Sequence, residues 1–202
     1  MRQIVVAITG ASGAAYGRRL VQMLAAADVH LHLVVSPMGR RVLGDEVGLS
    51  EVTLASLIGH ESAAATLYAH DDLGARLASG SFRTDGMAIC PCSSHTLAAV
   101  AAGMGDNLIT RAAAVTLKEG RRLIVVPREM PVTQIDLGNM LRISQAGGTI
   151  CPASPGFYMR PQTVADVVDF VVGRVLDLLD VPHTLSTRWD PSQAARRAGE
   201  VR

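Results

Sequence analysis

Short apolar runs alternate with helical periodicities along most of this chain. Residues 3–8 (Gln-Ile-Val-Val-Ala-Ile) form a continuous β-branched run that stops at Thr9-Gly10. A strand buried on both faces reads this way. Residues 14–26 then place Leu20, Met23 and Leu24 on one face of a helix. The pattern repeats. Strands are expected at 29–35, 87–91, 122–127 and 149–151, and helices from Pro37, from Ser94, over 108–119, over 134–146 and over 163–180. Pro37 suits a first helical turn. The last helix carries a wide apolar face of Val164, Val167, Val168, Val171, Val172, Val175, Leu176 and Leu179. Residues 47–85 show no clear period, and no elements are assigned there.

Strand–helix alternation implies an α/β fold with a parallel sheet covered on both faces. Such sheets bind ligands beyond the carboxyl ends of their strands, near a switch in strand order. That rule singles out Gly10–Gly13, Ser36, Cys92–Thr96, Pro127–Glu129 and Pro152–Tyr158. No repeat or linker divides the chain. One domain over 1–189 is expected, followed by a polar tail at 190–202.

Composition narrows the classes. The chain has 202 residues, 49% of them apolar, with 19 basic against 18 acidic side chains. A formal charge of +1 lacks the basic stripe of a nucleic-acid binder. Charged residues make up only 18% and mean hydropathy is +0.26, which suits a subunit that hides surface in a homo-oligomer. No apolar run reaches the ~20 residues of a membrane span. Three cysteines, two of them in Cys90-Pro91-Cys92, fit a reducing cytoplasm better than a disulfide scaffold. The opening residues show no signal-peptide pattern. Of the 19 basic residues only Lys118 is lysine.

Several loops carry candidate chemistry. Thr9-Gly10-Ala11-Ser12-Gly13 opens the first helix, where free amides and the helix dipole favour an anion. A ligand-free tight turn would read the same way. Glycines at 10, 13 and 17 lack the G-x-G-x-x-G dinucleotide spacing. The loop does look like the start of short-chain dehydrogenases, but their Tyr-x-x-x-Lys pair has no counterpart: position 114, four before the sole lysine, is Ala. After the second strand stands Ser36 rather than the acid that holds an adenosine ribose. That suits a phosphate-bearing ligand without adenosine, such as a flavin mononucleotide. Ser93, Ser94, His95 and Thr96 form a second donor-rich helix start, where Ser93 or Ser94 also reads as an ordinary N-cap. Arg111 and Lys118 lie seven apart on one helical face. Arg128-Glu129 follows a strand, and Arg174 lies in the last helix. Each Arg also reads as a solvated surface charge.

Taken together, Thr9-Gly-Ala-Ser-Gly13, Ser36, Cys90-Pro-Cys-Ser93, Leu117-Lys118-Glu119, Val126-Pro-Arg-Glu129, Asn139-Met140, Pro155-Gly-Phe-Tyr158 and Arg188-Trp189 resemble the flavin prenyltransferases of the UbiX type. The resemblance spans residues 3 to about 189. It implies a flavodoxin-like (Rossmann-like) three-layer sandwich, assembled as a homododecamer with sites between subunits. It implies transfer of a dimethylallyl group from dimethylallyl phosphate to N5 and C6 of reduced FMN, without a metal. The prenylated FMN would serve a partner UbiD-type decarboxylase.

Carried over by position, Gly10, Ala11, Ser12, Ser36, Ser93, Ser94, His95, Thr96 and Arg128 would contact FMN. Arg111, Lys118, Arg128, Tyr158, Arg174 and Trp189 would surround the prenyl donor. Ser12, Glu46, Lys118, Glu129 and Tyr158 would take part in catalysis. The chain departs from the family at His95 and at Met130. Two rivals share the flavin loops: FMN-dependent cysteine decarboxylases and a non-catalytic flavin-binding subunit. The first relies on a His shortly before the central strand, and residues 71–94 contain none. The second has no need of the phosphate-binding side chains.

Overall fold

A computed structural model describes residues 1–60, 62, 64–185 and 187. Six strands form one all-parallel sheet: β1 (Arg2–Ile8), β2 (Val29–Val35), β3 (Ala65–Tyr68), β4 (Gly86–Cys92), β5 (Leu123–Pro127) and β6 (Thr149–Ile150). Their order is β3-β2-β1-β4-β5-β6. Without the four-residue edge strand β3, this is the flavodoxin-like doubly wound order. The helices are α1 (Ala14–Ala25), α2 (Pro37–Val47), α3 (Leu54–Ile58), α4 (Ser94–Ala101), α5 (Leu108–Lys118), α6 (Gln134–Gln145) and α7 (Val164–Leu178).

Strand alternation divides the core in two. Ile4, Val6 and Ile8 pack with α1, α2, α3 and α7, whereas Val5 and Ala7 pack with α4, α5 and α6. The three layers follow from this split. α7 closes over α1 through the Arg19–Asp169 pair, with Nε to Oδ1 at 2.6 Å. Local sequence sets the helix starts. Ser36 caps α2 ahead of Pro37, Asn107 caps α5, and Thr133/Asp136 and Thr163/Asp166 form capping boxes on α6 and α7.

The expected elements are present, with ends shifted by a residue or two. The stretch left unassigned contains α3, β3 and a 3₁₀ turn at Arg76–Ala78. No helix among the described residues is long and apolar enough to cross a membrane. Trp189 and the tail at 190–202 lie outside the described residues.

Candidate active site

The strand order reverses between β1 and β4, so the loops after these two strands diverge and leave a crevice. Thr9 ties its two sides together. Its hydroxyl donates to the Pro91 carbonyl at 2.8 Å and accepts from the Ser93 amide at 2.8 Å. Thr9 is only 1% exposed, so it shapes the crevice from beneath and does not line it. Its place in the Thr9–Gly13 loop is plain in the sequence, but its bonding partners lie more than eighty residues away.

Gly13 begins α1 with φ at +105°, a conformation that favours glycine. It offers no side-chain cap. Glu46, at the end of α2, supplies the acceptor: Oε2 takes the Gly13 and Ala14 amides, each at 2.8 Å. The negative group at this helix start is therefore the chain's own carboxylate, which narrows the expectation of an external anion there. Partial burial pushes the Glu46 carboxyl up. Hydrogen bonds from the Ser12 hydroxyl and the two amides, with the Arg128 charge, outweigh it and hold the group below the usual carboxylate range. Ser12 and Glu46 thus form one hydrogen-bonded unit.

Ser36 stands at the neighbouring helix start, where its Oγ accepts from the Gly39 amide at 3.0 Å. A Cβ on Gly39 would lie 2.5 Å from the Ile8 carbonyl, so only glycine lets α2 sit this close to the end of β1. Across the crevice, the Ser93 hydroxyl accepts from the Thr96 amide at 3.3 Å and donates to the Thr96 hydroxyl at 3.1 Å. His95 is exposed on the first turn of α4.

Arg128 and Glu129 leave β5 beside these loops. The Arg128 Nε donates to the Ser12 carbonyl at 2.9 Å, which fixes the guanidinium next to the first loop. Ser94 Oγ donates to Glu129 Oε2 at 3.1 Å. Asp136, at the start of α6, is held below the usual carboxylate range by the Thr133 side chain and amide, with a smaller contribution from the nearby Ser94 hydroxyl. The Glu129 carboxylate is therefore anchored to the first turn of α4. Tyr16 lies beneath Gly13; burial raises its phenol, the neighbouring Cys90 adds to that, and Arg128 opposes it.

A second group gathers beyond β6. A cavity of about 540 Å³ is lined by Cys151, Ser154, Tyr158, Phe170, Arg174 and Thr187, among others. Tyr158 stacks edge-on against Phe170, with ring centroids 5.8 Å apart. Arg174 Nη1 donates to Asp177 at 2.9 Å.

Arg111 and Lys118 stand apart from both groups. They share the exposed face of α5, as their spacing required. Lys118 ends that helix, just before β5 begins, at the amino edge of the sheet. A strand's length, on the order of 20 Å, separates that edge from the loops after β1 and β4. Arg111 Nε donates to the Ala78 carbonyl at 3.0 Å. One protomer alone does not bring Lys118 to the crevice.

The donor set suits a phosphate and a planar ring with a hydrogen-bonding edge. Two helix starts, the hydroxyls of Ser36, Ser93 and Thr96, and one guanidinium converge there, and no acid follows β2.

The Flavoprotein family model matches residues 1–176. The flavin prenyltransferase UbiX of Thermoplasma acidophilum is 48% identical over 187 residues, covering 93% of this chain and 99% of that protein. The crystal structure of AnUbiX (PadA1) in complex with FMN and dimethylallyl pyrophosphate has a TM-score of 0.85 at 40% identity, covering 94% of this chain and 97% of that one. A dodecameric FMN-dependent UbiX-like decarboxylase from Escherichia coli O157:H7 has a TM-score of 0.86 at 43% identity, covering 93% and 99%. With its crevice at the β1/β4 switch and similarity of this depth over nearly its full length, the chain belongs to the Flavoprotein family and, within it, to the UbiX-type flavin prenyltransferases.

Proposed function

We propose that the protein joins a dimethylallyl group from dimethylallyl phosphate to N5 and C6 of reduced FMN. The observation that carries this reading is the crevice at the strand-order switch. There Arg128, fixed to the Ser12 carbonyl, lies beside a Glu129 carboxylate held by Ser94. A carrier of flavin has no use for a carboxylate so anchored.

Bound FMN would supply the nucleophilic ring positions that take the prenyl group. Its contacts are assigned to Gly10, Ala11, Ser12, Ser36, Ser93, Ser94, His95, Thr96 and Arg128. Tyr158 and Arg174 are assigned to the donor's phosphate, with Arg111 and Lys118 reaching it from another protomer. Breaking the allylic C–O bond builds negative charge on the departing phosphate. Guanidinium and ammonium donors aimed at the leaving oxygen stabilise that charge. Arg174 can grip the phosphate bidentately, and Lys118 acts as a point charge.

Bond formation at the aromatic carbon releases a proton. Glu129, fixed by Ser94, is placed as its acceptor. The Ser12–Glu46 unit sits on the opposite side of the crevice, where a carboxylate kept ionised orients the Ser12 hydroxyl as a proton relay. Trp189 is assigned to the edge of the donor site by resemblance alone.

A site completed by α5 of a neighbour requires assembly. The E. coli relative is dodecameric, and we assign the same state to this protein. Exposed apolar side chains at Met130 and Val132 and at Ile135, Leu137 and Leu141 around α6 support burial against other copies. Delivery of the product to a UbiD-type decarboxylase, and a cytoplasmic location, complete the reading. The test is the mass of flavin extracted after anaerobic incubation with reduced FMN and dimethylallyl phosphate. A gain of one five-carbon unit supports the assignment, and unaltered FMN refutes it.

A further inference from the structure

We infer that Glu119 is the positioning residue for Lys118, the sole lysine of the chain. The inference rests on the proposal that Lys118 meets the phosphate of the prenyl donor. Lysine is a flexible point charge on a four-carbon stem. Left to itself at the exposed end of α5, it would spread over many rotamers, and gathering them on binding would cost conformational entropy. The structure holds it instead. Glu119 Oε1 lies 2.5 Å from Lys118 Nζ. The other carboxylate oxygen faces Arg121 Nη2 at 3.8 Å.

Arg121 is itself clamped to the loop that leads into β4. Its Nη2 donates to the Gly80 carbonyl at 2.7 Å and its Nη1 to the Phe82 carbonyl at 2.9 Å. Its side chain is only 15% exposed. A chain of polar contacts therefore runs from the Gly80–Phe82 backbone through Arg121 and Glu119 to the Lys118 ammonium. The Lys118 interaction, with Arg121 assisting, holds the Glu119 carboxyl below the usual carboxylate range, so the pair is ionic at neutral pH.

Gly80 makes room for the arrangement. A Cβ there would run into the Glu119 carboxylate and would lie 2.8 Å from Lys118 Nζ. An exposed ion pair contributes little to stability. The benefit of this one lies in orientation: the ammonium is set in place before the phosphate arrives. Glu119 touches neither substrate nor flavin in this scheme and acts only through Lys118.

The test is a double-mutant cycle on the assembled, FMN-loaded protein, using Lys118→Leu, Glu119→Gln and the pair together. Glu119→Gln is expected to lower kcat/KM for dimethylallyl phosphate about tenfold, mainly through KM, and to add nothing in the Lys118→Leu background. Glu119→Asp should restore much of the loss. A second readout needs no turnover. With one lysine in the chain, the rate at which an acetylating reagent modifies Lys118, followed by peptide mass spectrometry, reports its engagement directly. That rate should rise several-fold in Glu119→Gln and in Gly80→Ala.

Equal losses in the wild-type and Lys118→Leu backgrounds would make Glu119 a structural tie and overturn the inference. So would wild-type kinetics and labelling for Glu119→Gln alongside an impaired Lys118→Leu. Normal turnover by Lys118→Leu is a different failure: it removes Lys118 from the donor site, and the inference falls with it.

Discussion

Glu46 Oε2 accepts the Gly13 amide at 2.8 Å, so the last turn of α2 caps the first turn of α1. One carboxylate thereby joins the end of α2 to the start of α1 and orients Ser12 beside them. Structure and chemistry depend on the same group.

Removing that group should show in both. Glu46→Ala is expected to cost about 1 kcal/mol, the worth of a lost cap screened by solvent, and to slow prenyl transfer further than Glu46→Gln. The acid limb carries the sign. The folded-state value lies below the ordinary 4.5, so the contribution is complete above that value and is lost as pH falls through the folded one. Urea unfolding between pH 3 and 6 should therefore be less pH-dependent in Glu46→Gln than in wild type. Parallel curves would remove Glu46 from the linkage.

Ser94 donates to Glu129 and fixes it against the first turn of α4. Glu129→Gln should retain FMN yet slow prenyl transfer strongly, and Ser94→Ala should lower kcat by about tenfold or less by leaving Glu129 unanchored. Single-turnover rates under anaerobic conditions distinguish these effects from flavin loss. An unchanged rate in Glu129→Gln would dismiss it as the proton acceptor.

His32 on β2 is fully buried, with its ring nitrogens on Tyr68 Oη at 2.9 Å and Gln3 Oε1 at 2.8 Å. His30 lies against its ring, Phe82 stands edge-on to it, and Arg76 stacks over Phe82. Burial, then the His30 and Arg76 charges, push the imidazole down to about 4. The folded protein keeps it neutral while the unfolded chain protonates it below about 6.5. Stability should fall as pH drops from 6.5 towards 4, by about 3 kcal/mol at most. His32→Gln should flatten that slope in thermal melts over this range, and an equally steep slope would place the linkage elsewhere.

Ile135 is 74% exposed in the single chain and Leu141 is 59% exposed. Charge at either position leaves the subunit fold intact but penalises burial against another copy. Ile135→Arg is expected to yield smaller species on sizing columns, with native-like circular dichroism and reduced turnover, because α5 of the neighbour is then lost from the site. Full assembly by Ile135→Arg would place the contact on another face.

Much of this was legible in the residues, for stated reasons. β1, β2, β4 and β5 are runs of apolar side chains buried on both faces, and periodicity finds them directly. β3 is four residues at the sheet edge with one buried side chain, and α3 is a helix of five, so neither offers a full period. The loops at the carboxyl ends followed from parallel topology, and Gly10–Ser12, Ser36, Ser93–Thr96 and Arg128-Glu129 lie where it placed them. Non-local bonds stayed hidden: Thr9 reaching Pro91, and Glu46 reaching Gly13 across 33 positions. The spacing of Arg111 and Lys118 gave their common face on α5. It carried no information about which edge of the sheet that face would meet.

The most direct measurement is the mass of the flavin itself. Assembled protein, reduced FMN and dimethylallyl phosphate are incubated without oxygen, and the extracted flavin is weighed against controls lacking the donor or the reductant. Flavin heavier by one five-carbon unit, only in the complete mixture, is the expected result. FMN that co-purifies with the protein yet leaves the complete mixture unchanged would contradict prenyl transfer and leave only a flavin-binding fold.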